Sequence, residues 1–241
     1  MILFLRLLLA HLIADFLLQP SSWVNDKIQK KIKSKKLFFH VLVVTGLSTL
    51  FTLDFFSWKI PVFIFILHYA TDLAKIYLKP RKMNNLSWFL IDQAVHIIII
   101  YLISASVNPE STPFVKIQES LTVTPKALAY IVAYFIIIWP SMVIINLATR
   151  NWQRQIAESN EPNLVNAGKW IGVLERVLVL TFIIAGQFQA IGFLIAAKSI
   201  LRLPVKNEAN ARVLSEYVLI GTLISFAIAV FVGVGVTNLV Q

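Results

Sequence analysis

Seven side chains in this sequence have the types and spacing to meet at one point and bind a metal ion. His11 and Asp15 are four residues apart, and so are His68 and Asp72, with Lys75 three further on. Asp92 and His96 repeat the spacing in reverse order, and His40 stands alone. Residues at i and i+4 stack on one face of a helix, so each pair can aim two ligands in one direction. Imidazole and carboxylate together suit zinc, manganese or iron. Zinc is the favoured ion, with manganese and iron compatible. The set His11, Asp15, His40, His68, Asp72, Asp92 and His96 is large enough for one or two ions. Two would lie about 3.5–4 Å apart; one would leave spare carboxylates to orient the imidazoles. Asp72 or Asp92 is then placed to serve as a general base.

The elements that position these residues are membrane helices. Hydrophobic residues make up 58% of the 241 and charged residues 14%, with a mean hydropathy of +0.76. Soluble domains carry about 25% charged residues. A crossing needs about 20 residues, so the length allows seven or eight segments and little else. The sequence therefore predicts an all-α, polytopic helical bundle, read as a single membrane domain over 1–241. Its first part, 1–107, is a four-helix half carrying the His/Asp set, and 126–241 is a second helical half. The stretches 108–125 and 149–170 connect them, the latter as a polar, amphipathic link. There is no cysteine, which excludes thiolate metal sites and cysteine nucleophiles. Residues 1–19 resemble a signal peptide superficially, but the run contains His11 and Asp15 and lacks a small-x-small cleavage site, so a retained helix is expected.

Apolar runs fall at roughly 2–18, 37–56, 60–78, 86–107, 126–148, 171–201 and 213–238. Between Ser21 and Lys36 lie six lysines, and Lys79-Pro80-Arg81-Lys82 is also basic. The net charge of +10 is gathered in such loops and faces lipid head groups; it is not a nucleic-acid surface. Basic short loops stay in the cytoplasm, which predicts a multi-pass protein with its N-terminus outside. The run 171–201 is broken at Ala185-Gly186-Gln187. Charge bias favours a hairpin there and length favours one helix; the hairpin gives eight segments. Depth then adds to the case for the site. Measured from the cytoplasmic ends at about 1.5 Å per residue, all seven side chains lie about 5–15 Å deep. Ionisable groups at such a depth cost several kcal/mol unless they pair or face water.

The series His11-Leu12-Ile13-Ala14-Asp15-Phe16-Leu17-Leu18-Gln19, Trp23, His40, His68-x-x-x-Asp72-x-x-Lys75 and Asp92-Gln93-x-x-His96 resembles a bacterial membrane family catalogued as domain of unknown function 3307. The resemblance covers residues 5 to about 105. Later segments, among them Gly172-Val173-Leu174-Glu175-Arg176 and Ala196-Ala197-Lys198-Ser199-Ile200-Leu201-Arg202, look like its longer members. The family brings no established activity with it. A looser likeness, in intramembrane His and Asp spacing alone, is to bacterial inner-membrane proteins described as metal-dependent hydrolases.

Several chemistries are absent. There is no HExxH, no GxSxG elbow and no P-loop, no Ser-Gly-His of a phosphohistidine lipid phosphatase, and no dense aspartate motif of a CDP-alcohol transferase. The reading that remains is a cytoplasm-facing, metal-dependent hydrolase acting on an amphipathic or lipid-linked substrate, such as a lipid-linked phosphate. Lys75, Arg176, Lys198 and Arg202 would receive the phosphate; pairing of Glu175 with Lys198 or Arg202 is the structural alternative. Two other functions use the same cluster. One is a divalent-cation or proton transporter, against which the few polar side chains in the outer halves of the first four helices count. The other is a non-catalytic scaffold in which His–Asp hydrogen bonds join helices, worth about 0.6 kcal/mol each. Membrane lipids are the expected partners.

Overall fold

The computed structural model describes residues 1–55, 57–80, 82–107, 123–157, 162–200 and 208–240. Among them every regular element is helical. The chain divides into two compact units, Met1–Leu128 and Ala129–Gln241.

In the first unit α1 (Ile2–Phe16) is apolar on all sides and stops short of Gln19-Pro20. Proline cannot continue a helix but suits the start of one, and Pro20 caps α2 (Ser21–Lys30). The two axes meet at 83°. The lysine-rich stretch expected as a plain connection is therefore a helix laid across the end of the unit. It passes through a 3-10 turn at Lys31–Lys33 to α3 (Lys35–Phe51), where the Ser34 hydroxyl accepts from the Leu37 amide at 3.2 Å. Lys31, at the join, has φ 52°. Next come α4 (Lys59–Leu78) and α5 (Asn85–Ser106), the latter capped by the Asn84 side chain on the Ser87 amide at 2.6 Å. Helices α1, α3, α4 and α5 pack in a closed ring, α1 on α3, α3 on α4, α4 on α5 and α5 on α1.

Each helix of the ring turns one stripe to its axis. Leu7 and His11, His40 and Val44, Ile64 and His68, and His96 and Ile100 are all buried i,i+4 pairs. One end of the axis is thus hydrocarbon, built from Leu3, Leu7, Val44, Ile60, Ile64, Ile100 and Ile103, and the other is polar. Neighbouring helices run in opposite directions, so the histidine follows its apolar partner on α1 and α4 and precedes it on α3 and α5. At the apolar end Arg6 bonds both the Phe51 carbonyl, at 3.3 Å, and the Asp54 carboxylate.

The second unit begins within α6 (Pro125–Ile138), which is separated from α7 (Pro140–Ala148) by a break at Trp139-Pro140. The polar segment expected as a connection over 149–170 is helical at both ends: α8 (Arg150–Ala157) opens it, and α9 (Pro162–Ile184) already starts before Gly168. After α9 the chain folds back through Gly186, at φ 70°, into α10 (Phe188–Ile200). The reversal is unambiguous: Lys198 bonds Glu175 at 2.7 Å, whereas a continuous helix would hold them about 34 Å apart. α11 (Glu208–Val240) packs along α9, and Gly233 lets the two approach until a Cβ there would stand 2.8 Å from Ile183 Cδ1.

Among the described residues four helices, Lys59–Leu78, Asn85–Ser106, Pro125–Ala148 and Ser215–Val240, are long and apolar enough to cross a membrane; a fifth span results if bent α1–α2 counts as one. The outward faces are apolar as well, with Phe193 77% and Phe231 79% exposed. Large exposed apolar surface over polar interiors is the pattern of lipid-facing helices.

Candidate metal centre

The ring of α1, α3, α4 and α5 delivers one histidine from each helix to its axis. Ring centroids stand 5.2 Å apart for His40 and His68, 4.5 Å for His68 and His96, and 5.0 Å for His11 and His96, the last pair stacked. All four histidines, with Asp72 and Asp92, are buried. The seven residues predicted as ligands do converge. They form three overlapping groups, His11–Asp15–His68, His40–His68–Asp72 and Asp72–Asp92–His96, each with its ligand atoms within 4.8 Å of one another.

Around Asp15 the geometry is sharpest. Its Oδ1 lies 3.4 Å from His40 Nε2, 3.7 Å from His68 Nε2 and 3.6 Å from His11 Nδ1. His40 Nε2 and His68 Nε2 are 3.2 Å apart. Zinc bonds of about 2.0–2.1 Å in a tetrahedron place ligand atoms about 3.4 Å from each other. Three ligand atoms thus sit near the corners of one tetrahedral face. Asp15 Oδ1, both His11 ring nitrogens and His40 Nδ1 are buried without a hydrogen bond among the described residues. Buried polar atoms left unsatisfied cost about 1–3 kcal/mol each, and a cation at this face would satisfy Asp15 Oδ1 and lie on the side of His11 Nδ1. The donor set therefore fits a metal.

The other two carboxylates are already answered. Lys27 of α2, 7% exposed, donates to Asp72 Oδ2 at 2.6 Å, and Lys75 donates to Asp92 Oδ2 at 2.6 Å, joined there by Gln93 Nε2 at 3.1 Å. Asp72 Oδ1 stays turned to the cluster, 4.0 Å from His96 Nε2. His96 Nδ1 lies 2.8 Å from the Asp92 carbonyl; a carbonyl only accepts, so Nδ1 carries the proton. In the neutral ring Nε2 is then a lone pair facing inward, 3.1 Å from the Thr71 hydroxyl.

Lys75, expected to receive phosphate, is thus bound to Asp92. Arg176 and Lys198 belong to the second unit: Arg176 donates to the Ile137 carbonyl at 2.7 Å and to Ser225 at 3.1 Å, and Lys198 to Glu175. Arg202 lies outside the described residues. Sequence reasoning did not single out Lys27, Thr71 or Gln93. Lys27 is one of six lysines in its stretch, and its only distinguishing signal is its position one turn after Trp23 on an amphipathic helix.

Residues 3–123 match the model of a family described as protein of unknown function (DUF3307), and the chain belongs to that family. The match takes in all seven converging residues and Lys27. No curated protein and no solved structure matches the chain.

Proposed function

We propose that this member of the DUF3307 family is a metal-dependent hydrolase embedded in the bacterial inner membrane, acting from the cytoplasmic side on an amphipathic or lipid-linked substrate. The observation that carries the reading is the triangle of Asp15 Oδ1, His40 Nε2 and His68 Nε2, with edges of 3.2–3.7 Å. Charge supports one ion over two. Three carboxylates against Lys27 and Lys75 leave one negative charge, which one divalent cation with one anionic ligand would balance. Two ions would leave an uncompensated excess in a low-dielectric site. Zinc suits the donor set best, with manganese and iron as alternatives.

A cation held there would supply Lewis acidity, lowering the pKa of water towards 7 and polarising a phosphoryl or acyl oxygen. The chain's own residues do the rest. Asp72 Oδ1, with Oδ2 occupied by Lys27, is the oxygen left to take a proton from an attacking water. Asp92, holding Lys75 and Gln93, orients His96 and is a poorer base. Towards the hydrocarbon end of the ring Arg6 and Asp54 are bonded to each other, and the polar groups beside them are hydroxyls, Thr45, Ser48 and Thr52, with no further charge among these; this favours an enzyme open to one face over a conduit through both.

Topology belongs to the same proposal. We read α1, α3, α4 and α5 as crossings, with the pair α9–α10 as a hairpin, for seven or eight segments in all. The loops Lys27–Lys36 and Lys79–Lys82 are then inside. Reporter fusions at Lys33 and at Gln118, the latter outside the described residues, should read opposite compartments. For function, protein in nanodiscs should release phosphate or acid from labelled lipids in a metal-dependent way. Cation flux in sealed liposomes without turnover would replace the enzyme by a transporter.

A further inference from the structure

The second unit has a polar interior of its own. Helices α7, α8, α9, α10 and α11 line an open cavity of about 300 Å³. Its lining is mixed: Met142, Ile145, Ile171 and Val218 are apolar, and Lys169, Glu175, Arg176 and Lys198 stand among them with Tyr217, Thr222 and Ser225. Arg176 is only 3% exposed. A guanidinium has five N–H donors; here Nε is used on Ile137 and Nη1 on Ser225. Gly172, one turn earlier on α9, lies beside it, and a Cβ there would stand in ordinary contact with Nη1 at 3.4 Å.

We propose that this cavity is a second, separate ligand site that binds a phosphate-bearing group. Three cationic side chains against one carboxylate give its lining a double positive excess. Glu175 bonds Lys198 and also acts electrostatically on its neighbour Arg176, and one carboxylate shared between two cations leaves the excess standing. The planar guanidinium fork matches paired phosphate oxygens, and Lys198 and Lys169 supply point charges beside it. The Ser225 and Tyr217 hydroxyls can donate to the same oxygens. The apolar part of the lining then accommodates the hydrocarbon of an amphiphile, and a volume near 300 Å³ holds a head group and the start of a chain. An arginine buried within an apolar helical unit marks a functional position in membrane proteins. The site stands independently of the metal reading.

Full-length protein in phosphatidylcholine nanodiscs doped with phosphatidic acid would be released into native mass spectrometry. Wild type should retain phosphatidic acid about tenfold over phosphatidylcholine, and Arg176→Met should lose that preference. Lys169→Gln changes an exposed side chain of the same lining; it should lower retention with the fold intact, and so keeps the test decisive if Arg176→Met does not fold. His68→Ala should retain the lipid fully, which separates this site from the metal centre. Displacement of the lipid by millimolar inorganic phosphate would assign the site to free phosphate; no displacement would assign it to the lipid head group. Equal retention by wild type and both cavity variants, or binding of neither probe, would overturn the proposal. So would loss of retention in His68→Ala alone.

Discussion

The two units bury charge in opposite ways. In the first, acidic groups outnumber basic ones around the axis and several imidazole nitrogens have no partner among the described residues. In the second, cations outnumber carboxylates and the buried Arg176 is partly answered by a backbone carbonyl and a serine. Burial of an ionisable group in an apolar surrounding is tolerated only with compensation. The direction of the imbalance is what supports the two proposals, a cation for the first unit and an anion for the second.

That contrast can be broken at several points, beginning with the largest effect. Elemental analysis of detergent-purified protein should find about one transition-metal ion per chain, and the His68→Ala, His96→Ala double variant should have essentially none. Unchanged metal in the double variant would remove the first half of the contrast. Lys27→Met should come next. It strands Asp72 beside the cluster, and removing one partner of a buried pair costs about 3–5 kcal/mol. Chemical unfolding of chelator-treated protein would register that loss, and added zinc should recover part of it by binding the freed carboxylate. A neutral Lys27→Met would mean the site tolerates a bare carboxylate without a cation.

In the second unit Gly233→Ala should cost about 1–3 kcal/mol, because the new Cβ overlaps Ile183 where α9 meets α11. Thermal unfolding followed by circular dichroism is a sufficient readout, and metal content should stay unchanged. Gly186→Ala is the mildest change. With φ at 70°, an added Cβ costs about 1 kcal/mol or somewhat more, and nothing else lies within 4 Å of it. A loss of metal in either glycine variant would show that the two units do not answer for their charges separately.

The candidate site was largely legible in the sequence. Three i,i+4 pairs and a lone histidine, placed on alternating helices, fix both face and depth before any packing is known, because helical rise and periodicity are local properties. Other features were not legible. The lysine-rich stretch gives no sign of which lysine turns inward; that follows from the 83° bend at Gln19-Pro20, which lays α2 over the ring and carries Lys27 to Asp72. Whether 171–201 was one helix or a hairpin depended on length against charge. The contact of Lys198 with Glu175 decided it, a meeting of residues 23 positions apart that no local rule specifies. Sequence alone determined that the chain is helical and apolar outside, and which seven groups share a layer, since composition and i,i+4 spacing act residue by residue. Tertiary structure decided which carboxylate keeps a free oxygen and where Arg176 lines a cavity, because long-range packing sets which donor reaches which acceptor.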